Sequence, residues 1–561
     1  MRRLALTFIA LAAGLSARAA GTPVERIYVS TDRTAYIAGD AVWCSLFCLD
    51  ENGSFSNQSA VAYLELISMD GTAATAKIGL LEGRGAGSFR IPVTAPTGTY
   101  RLVAYTAVNA QEEGSPWQAG SRLLSVFNAT STARVGNGVE LMDSGAYERL
   151  ERPASTREGS LELSMATRQR RGANVALTLH NEGAAADLSL SIVHDDDLLP
   201  PAQENTPASF LKAIPGNVLL RPGMRGVPEY DGEVISARVR GTKIVDPEDE
   251  SVATLSSAGA PSNLYIGRTE GDDRISFYTS NIYGNREIVC EVSQLDRKEG
   301  YIDFENPFAH PYTGILPTLV LSPAQKDALS ARKASLRSEK DFRIDTLANF
   351  MTHRKDLLLE GISRRRYHLD DYTRFPSVRE IMVELIHELR FRKNKRDEWA
   401  IELHFTDAAN ARSYRSENVL VMMDGVVLSN LDPLMDFDAL LLEDIDVYAQ
   451  SFACGRLVYH GLVNFITKKN YVTALHFPAN VRVLDYQGVA YPVAYSGAVP
   501  AGNGPDLRQL LYWNPVLKLD ANSDYRLEFH APGYAGRFKV VAEGFSADGK
   551  PVREEITFEV E

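Results

Sequence analysis

The sequence predicts a mostly β protein, in which serial β-sandwich domains are joined to one α+β domain. Short apolar or alternating runs, separated by Gly, Pro, Asn and Asp, recur along most of the chain, and this spacing is typical of β-sandwiches. Residues 374–470 differ, because a helical apolar spacing precedes short apolar strands there. The length of 561 residues allows roughly three to five domains.

The N-terminus has the features of an export signal over residues 1–20. Arg2 and Arg3 supply basic charge, an apolar run follows, and Ala17 and Ala19 are the small residues that signal peptidase prefers. The apolar run is shorter than the about 20 residues that span a bilayer. We therefore expect an exported protein with peripheral or no membrane contact. The formal net charge of −13 argues against nucleic acid as the main partner.

Residues 21–128 form the first predicted β-sandwich. Between two apolar runs, the stretch RIYVSTDRTAYIAGDAVWCSLFCLD contains a turn pattern made by Thr31, Asp32, Tyr36, Gly39 and Asp40. A glycine suits a tight turn, and the tyrosine can cover one end of a core. This pattern resembles the opening of the MG2 domain of the α2-macroglobulin superfamily. The thioester motif of that superfamily (Cys-Gly-Glu-Gln type) does not occur in the sequence, which argues against a covalent protease trap.

The rest of the chain divides by composition and alternation. A polar linker (129–158) precedes a second, smaller β domain with a crossing segment (159–228), whose alternation resembles a macroglobulin-like fold. Residues 229–296 resemble a carboxypeptidase-regulatory-like Ig domain, although Arg274 to Phe277 replace its usual closing motif. Residues 297–373 are a partly helical linker. The C-terminal β-sandwich (471–561) resembles the terminal domain of exported Bacteroidetes-type proteins, in which a Tyr-Trp-Asn-Pro motif recurs.

The segment 374–470 carries the most specific pattern. A strand, an Asp-Gly turn, a short helix, a second strand, a Gly-containing loop and a third strand follow one another between Asn418 and Lys469. This order resembles the plug domain of TonB-dependent outer-membrane receptors. Only 92 residues follow Lys469, too few for the many strands of a transmembrane barrel. We therefore expect a contact module, packed as a small α+β layer that stands alone, rather than a transporter.

Within this plug-like segment, Asp424, Gly425 and Gly461 are the candidate site residues. Asp-Gly is a turn former, because both residues tolerate positive φ, and Gly461 permits close backbone approach. Both features are structural in the first instance. The resemblance implies that such turns also lie near a partner-facing edge, which leaves an interaction role open.

Other chemistry-bearing groups give weaker patterns. His387-Glu388 lacks the second histidine of a zinc-binding helix, and the acidic residues after His194 lack calcium-loop spacing. Four cysteines are expected to be buried free thiols, since Cys44 and Cys48 on one strand lie too far apart to bond. Basic runs at 364–366 and 390–396 indicate either intramolecular ion pairs or contact with anionic lipid headgroups.

These observations favour a non-catalytic binding or scaffold protein of the cell envelope, located in the periplasm or at the outer membrane. No catalytic, cofactor-binding or metal residues are predicted, and no cofactor is expected. The expected partners are envelope proteins, including a TonB-dependent nutrient-uptake system, and not nucleic acid. The alternatives are a peptidase or glycan-active enzyme with β accessory domains, and a non-covalent protease inhibitor.

Overall fold

The structure is a computed structural model in which the chain divides into two units. The first unit comprises Met1–Tyr230, Phe308–Ala348 and Pro492–Glu561, and the second comprises Asp231–Pro307 and Asn349–Tyr491. The predicted signal segment 1–20 lies outside the described residues. The described residues are 25–111, 120–129, 135, 137–150, 157–196, 198, 205–214, 228–240, 253–259, 263–270, 273–292, 301–309, 315–338, 345–346, 363–393, 397–407, 412–416, 418–454, 457–470, 472, 475–478, 480–495 and 505–561.

The chain is mostly β, as predicted, and the first domain of unit 1 is built mainly from strands. Its strands are β1 (Arg26–Thr31), β2 (Ala35–Ile37), β3 (Ala41–Leu49), β4 (Val61–Ser68), β5 (Gly71–Leu81), β6 (Arg84–Arg90), β7 (Gly98–Tyr105) and β8 (Arg122–Phe127). They pair in the order β1, β3, β6, β5, β4, β7, β8, β2 around one apolar core. The turn after β2 confirms the role predicted for Gly39, whose φ is +99°.

Strand β3 explains the continuous apolar run AVWCSLFCL. One of its faces, including Cys44 and Cys48, lies in the core of the first domain. Its other face, including Trp43 and Phe47, packs in two further apolar clusters of the same unit. A strand that is buried on both faces has no position that favours a polar side chain, so the alternation disappears.

The second β-sandwich of unit 1 combines two distant stretches of the chain. We call it the composite sandwich. Its strands are β10 (Leu161–Ser164), β11 (Arg168–Gln169), β12 (Asn174–Asn181), β13 (Ala186–His194), β35 (Leu510–Leu519), β36 (Ser523–His530), β37 (Gly536–Ser546) and β38 (Pro551–Val560). One sheet has the order β10, β12, β36 and the other β11, β38, β37, β13, β35.

This pairing differs from the predicted division into one domain at 159–228 and another at 471–561. Strand β12 pairs with β36 over its whole length, and β13 lies between β37 and β35. The apolar sides of both stretches meet in a single core. Alternation reports that each strand has one buried face, but it does not report which strand covers that face. The two stretches therefore form one domain.

The first domain and the composite sandwich share a buried interface. Trp43 packs on Trp513 with ring centroids 5.3 Å apart, and the Tyr-Trp-Asn-Pro motif thus lies in this interface. The Ser45 hydroxyl donates a hydrogen bond to the Pro515 carbonyl at 2.5 Å. Tyr28 packs edge-on against Phe545 at 5.6 Å. Aromatic burial of this kind joins the two domains into one body.

A buried ion cluster lies in the same interface. Glu543, which is 1% exposed, accepts a hydrogen bond from the Ser30 hydroxyl at 2.6 Å and pairs with Arg122 at 2.9 Å. It also pairs with Arg553. Burial alone would raise the pKa of Glu543, but the two arginines hold that pKa below its usual range.

Both predicted linkers contain regular structure in unit 1. The linker elements are β9 (Val139–Leu141), α1 (Ser144–Glu148), β21 (Leu319–Leu321), α3 (Lys326–Ser338) and β22 (Asp345–Thr346), and unit 1 also contains α2 (Pro207–Ala213) and β34 (Val493–Ala494). Strand β21 pairs in parallel with β9, and β22 pairs with β34. A short 3₁₀ turn precedes α3, and Ser322 and Gln325 form a capping box there, so this part of the predicted linker 297–373 is helical.

Unit 2 contains an Ig-like sandwich followed by the α+β module. The sandwich strands are β14 (Val234–Arg240), β15 (Ala253–Ser257), β16 (Asn263–Ile266), β17 (Arg268–Glu270), β18 (Arg274–Tyr278), β19 (Asn285–Val292), β20 (Tyr301–Phe304) and β33 (Val481–Gln487). The sheets have the orders β17, β18, β14, β20 and β16, β15, β19, β33. Strand β33 pairs along β19 and so belongs here, whereas the predicted boundary assigned residues 481–487 to the C-terminal sandwich.

The α+β module corresponds to the segment 374–470, with β23 added before it. Its elements are β23 (Arg364–His368), α4 (Val378–Glu384), β24 (Leu389–Lys393), β25 (Trp399–Asp407), β26 (Arg412–Ser416), β27 (Leu420–Met423), β28 (Val426–Val427), α5 (Asp432–Met435), β29 (Leu442–Tyr448), β30 (Phe452–Cys454), β31 (Leu457–Tyr459) and β32 (Leu462–Thr467). The main sheet has the order β23, β29, β32, β27, β28. Strands β24, β25 and β26 form a second sheet, and β30 pairs with β31 in a hairpin.

The mixed α+β architecture fits the sequence pattern, but the layer does not stand alone. Val289 of β19 lies in the same apolar cluster as Ile445 and Phe465 of the main sheet. Strand β19 is buried on both faces, because Ile288 and Cys290 point into the Ig-like core instead. The module and the Ig-like sandwich therefore share buried surface within unit 2.

Candidate interaction site

Asp424 and Gly425 form the tight turn between β27 and β28. Their φ angles are +49° and +82°, and Met423 pairs directly with Val426 across the turn. Positive φ at both central residues is the geometry of a type I′ hairpin, which Asp-Gly favours. The turn predicted from the sequence is thus present.

The Asp424 carboxylate connects its turn to β32 and to the segment after β32. It is buried, with 4% of the residue exposed, and it accepts hydrogen bonds from the amide and the hydroxyl of Thr467, each at 2.7 Å. It also accepts one from the Val472 amide at 3.3 Å. Its own carbonyl accepts from the Gly259 amide of the Ig-like sandwich at 2.8 Å. A buried carboxylate that satisfies these donors fixes the local fold.

Gly461 permits a close approach at the start of β32. Its φ is +146°, a conformation that is essentially limited to glycine, and a Cβ there would overlap Leu403 Cδ2. The Tyr448 carbonyl would lie 3.2 Å from that Cβ. Any side chain at this position would disturb the contact between the main sheet and β25.

The structure does not bring the three candidate residues together. Strands β27 and β32 run in parallel, with Leu420 opposite Leu462 and Met423 opposite Phe465. Gly461 therefore lies at one end of this pair and the Asp-Gly turn lies at the other. Each residue has a structural role in its own turn, and a role in partner contact stays a prediction.

An ion-pair ladder lies on one face of β23 and β29, where the carboxylates of β29 are buried beneath the arginines of β23. Arg366 binds Asp446 through two nitrogens, each at 2.7 Å, and also lies 3.2 Å from Asp444. Arg364 adds a contact to Asp446 at 3.7 Å, and His368 contacts Asp444 at 2.7 Å. The hydrogen bond to Asp444 raises the pKa of His368 above its usual value. The first basic run is thus engaged in ion pairs within the chain.

A second charged cluster lies on the sheet of β24, β25 and β26, which we call the basic sheet. Glu402 is only 2% exposed, and one of its carboxylate oxygens lies 3.2 Å from Nε of Arg392 and 3.2 Å from Nε of Arg415. His404 Nε2 contacts the same oxygen at 2.5 Å. Burial would raise the pKa of Glu402, but these partners together hold it below its usual range. The sequence pattern does not indicate this cluster, because its members lie on three strands that meet only when the sheet forms.

Other sequence candidates are also engaged in structural contacts. Asp196 pairs with Arg332 at 2.6 Å and Asp195 with Arg537 at 2.6 Å, so both carboxylates next to His194 have arginine partners. All four cysteines lie among the described residues, and each is buried and free, as predicted. Within the described part of the chain, no His, Cys, Asp and Glu side chains cluster as metal ligands. No helix there is long and apolar enough to cross a membrane.

Comparison with known proteins finds a family match for the first domain. Residues 26–119 match the MG2 domain family. The solved α2-macroglobulin of Salmonella, reacted with methylamine, aligns with 96% of this chain and 40% of its own length, at 10% identity and a TM-score of 0.23. The trypsin-activated α2-macroglobulin of Escherichia coli aligns with 96% of this chain and 42% of its own length, at 9% identity and a TM-score of 0.23. Dimeric latent PorU of Porphyromonas gingivalis aligns with 50% of this chain and 33% of its own length, at 11% identity and a TM-score of 0.15.

The chain therefore spans about two fifths of the length of the α2-macroglobulins that it matches. No curated protein matches the chain. The family match covers the turn pattern of Asp32, Tyr36 and Gly39 on which the resemblance was based. The first domain of this chain is an MG2-like domain.

Proposed function

We propose that the chain is a non-catalytic binding protein of the cell envelope, in which the α+β module contacts a partner protein. The interface in unit 1 is the observation that carries the scaffold part of this proposal. There, aromatic clusters and the buried Glu543 ion cluster hold the first domain against the composite sandwich. Such an interface makes unit 1 a stiff platform, as expected of a scaffold.

The surface of the α+β module supports its assignment as the contact region. Its basic sheet exposes Arg392 and Arg415, with side chains 44% and 54% accessible. Val383 and Val458 are also exposed, at 64% and 53%. Arginine is enriched at protein interfaces, and exposed apolar side chains gain free energy when a partner removes them from water.

Site-specific photo-crosslinking in the full chain tests this proposal. A photoreactive amino acid at Val383 or Val458 is expected to capture the same envelope protein, which mass spectrometry then identifies. Met69 and Leu141 of unit 1 are matched control positions, because they are similarly exposed apolar residues. Capture at the control positions alone, or no capture at the module positions, would contradict the proposal. A component of a TonB-dependent uptake system among the captured proteins would support the expected partner.

The export signal and the proposed envelope location form a separate part of the proposal. Arg2, Arg3 and the apolar run after them support export. Cell fractionation of the full-length protein is expected to recover a processed form in the periplasm or on the outer membrane. Recovery of the unprocessed chain in the cytoplasm would refute this part.

A non-covalent protease inhibitor is the second candidate function, because residues 26–119 match the MG2 domain family. The α2-macroglobulin of Escherichia coli has been solved in a trypsin-activated form. If this chain acts on proteases, it should slow the digestion of a protein substrate by trypsin. Unchanged digestion at a molar excess of the chain would remove this candidate.

A further inference from the structure

The two arginine clusters of the α+β module differ in charge balance. In the ladder on β23 and β29, Arg364 and Arg366 face two carboxylates, and Arg366 uses two nitrogens on Asp446. On the basic sheet, Arg392 and Arg415 share the single carboxylate of Glu402. In the ladder, two arginine charges are balanced by two carboxylate charges. On the basic sheet, two arginine charges are balanced by only one carboxylate, which leaves one positive charge in excess.

The donors of the basic sheet are only partly used. Arg392 and Arg415 both approach Glu402 through Nε. No terminal guanidinium nitrogen of either arginine donates a hydrogen bond to another residue in the described part of the chain. Since both Nε atoms lie 3.2 Å from the same oxygen, the two guanidinium groups are neighbours. Their terminal nitrogens are therefore oriented donors on an accessible surface.

The surrounding sequence strengthens the local positive potential. Residues 389–416 contain seven Lys and Arg residues against four Asp and Glu residues, in a chain whose net charge is −13. Arg390 is exposed on the strand that carries Arg392. A concentration of one sign of charge raises the local concentration of an oppositely charged ligand.

We infer that Arg392 and Arg415 form a binding site for a phosphate group, with Glu402 as the positioning residue. A planar guanidinium offers parallel N–H donors that match the oxygens of phosphate. A phosphate monoester carries up to two negative charges and three strong acceptor oxygens, so it can engage both guanidinium groups at once. A carboxylate carries one charge and is already matched by one guanidinium.

Glu402 makes this arrangement possible because it holds both Nε edges from the protein side. Without it, two adjacent guanidinium groups would repel each other and adopt many rotamers. The buried carboxylate lowers that repulsion, and the terminal nitrogens stay available to a ligand. The site goes beyond the proposed partner contact and does not depend on it, since either could exist without the other.

Titration of the full mature chain tests the site with two probes. Inorganic phosphate reports a soluble ligand, and vesicles of phosphatidylcholine with phosphatidic acid report a lipid headgroup that bears a phosphate monoester. Calorimetry at low ionic strength measures the first and vesicle co-sedimentation the second. Binding of either probe supports the site and identifies the source of the phosphate. Binding of neither probe overturns it.

Substitutions separate a built site from diffuse charge. Replacing both arginines with lysine keeps the charge beside Glu402 but removes the bidentate donors, and it should weaken binding about tenfold or more. Arg526→Lys on β36 is the matched control, because Arg526 is 69% exposed and lies 4.0 Å from Glu528. It should leave binding within about twofold of the original protein. Equal binding by the double lysine variant and the original protein would overturn the assignment.

Discussion

Removal of the Asp424 side chain tests whether the Asp-Gly turn holds the α+β module together. Asp424→Gly keeps a residue that tolerates the observed φ of +49°, so the backbone of the turn need not change. The substitution leaves the buried amides of Thr467 and Val472 without their acceptor. An unsatisfied buried donor costs about 1–3 kcal/mol, so we expect the module to lose about 4 kcal/mol.

Hydrogen exchange measured by mass spectrometry on the full chain is the appropriate assay, because a protein of two units does not unfold in one step. A loss of about 4 kcal/mol accelerates exchange by about three orders of magnitude in peptides that cover β27 and β32. Peptides from β37 in unit 1 provide an internal reference. Asp424→Asn retains one acceptor and tolerates the same φ, so it should cost about 1–2 kcal/mol.

Asn522→Gly is the matched control for the effect of glycine alone. Asn522 also has a φ of +49°, but it is exposed in the turn before β36. Its replacement should change exchange in β35 and β36 by less than about 0.5 kcal/mol. If Asp424→Gly leaves the protection of β27 and β32 unchanged, the carboxylate does not stabilise the module and our interpretation of its hydrogen bonds is wrong.

Three further predictions concern other residues of the described structure. Glu543→Gln should lower the free energy of unfolding of unit 1 by about 3 kcal/mol, because it leaves buried arginines without their carboxylate partner. Since the pKa of Glu543 is depressed in the folded state, the original protein should lose stability as pH falls below about 4.5. Thermal unfolding measured against pH should show a smaller loss in the variant. The ion pair of His368 with Asp444 should stabilise the module at low pH, and this stabilisation should decline as pH rises through the raised pKa of His368. NMR titration should find a lower pKa of His368 in Asp444→Asn than in the original protein. An unchanged pKa would refute the pairing. Gly461→Ala should destabilise the module by about 3 kcal/mol, as measured by hydrogen exchange. Gly138→Ala is the control, because Gly138 also has a positive φ but has open space around it, and this substitution should cost about 1 kcal/mol.

Local features of this protein were accessible from the sequence because they depend on neighbouring residues. Gly39 and the Asp424-Gly425 pair indicated turns, since few residues tolerate positive φ. The helix start at Ser322 is equally local, since its capping box is formed with Gln325, three residues further on. The pattern around Tyr36 led to the MG2 resemblance, and the family match supports that assignment.

The candidate site was accessible only in part. The sequence predicts turns at Asp424 and Gly461, but their separation at opposite ends of β27 and β32 depends on a parallel pairing that no short pattern reveals. The Glu402 cluster was missed for the same reason. Its arginines come from β24 and β26, on either side of β25, and they meet only when the sheet forms.

By itself, the sequence determined the mostly β class, the first domain, the turns and the buried thiols, because each follows from side-chain periodicity or from backbone preferences over a few residues. The tertiary structure alone decided which distant strands share a core. Residues 161–194 pair with 510–560, and β33 joins the Ig-like sandwich. The physical reason is that an alternating strand specifies one apolar face to bury, while many partners in the same chain can cover that face equally well.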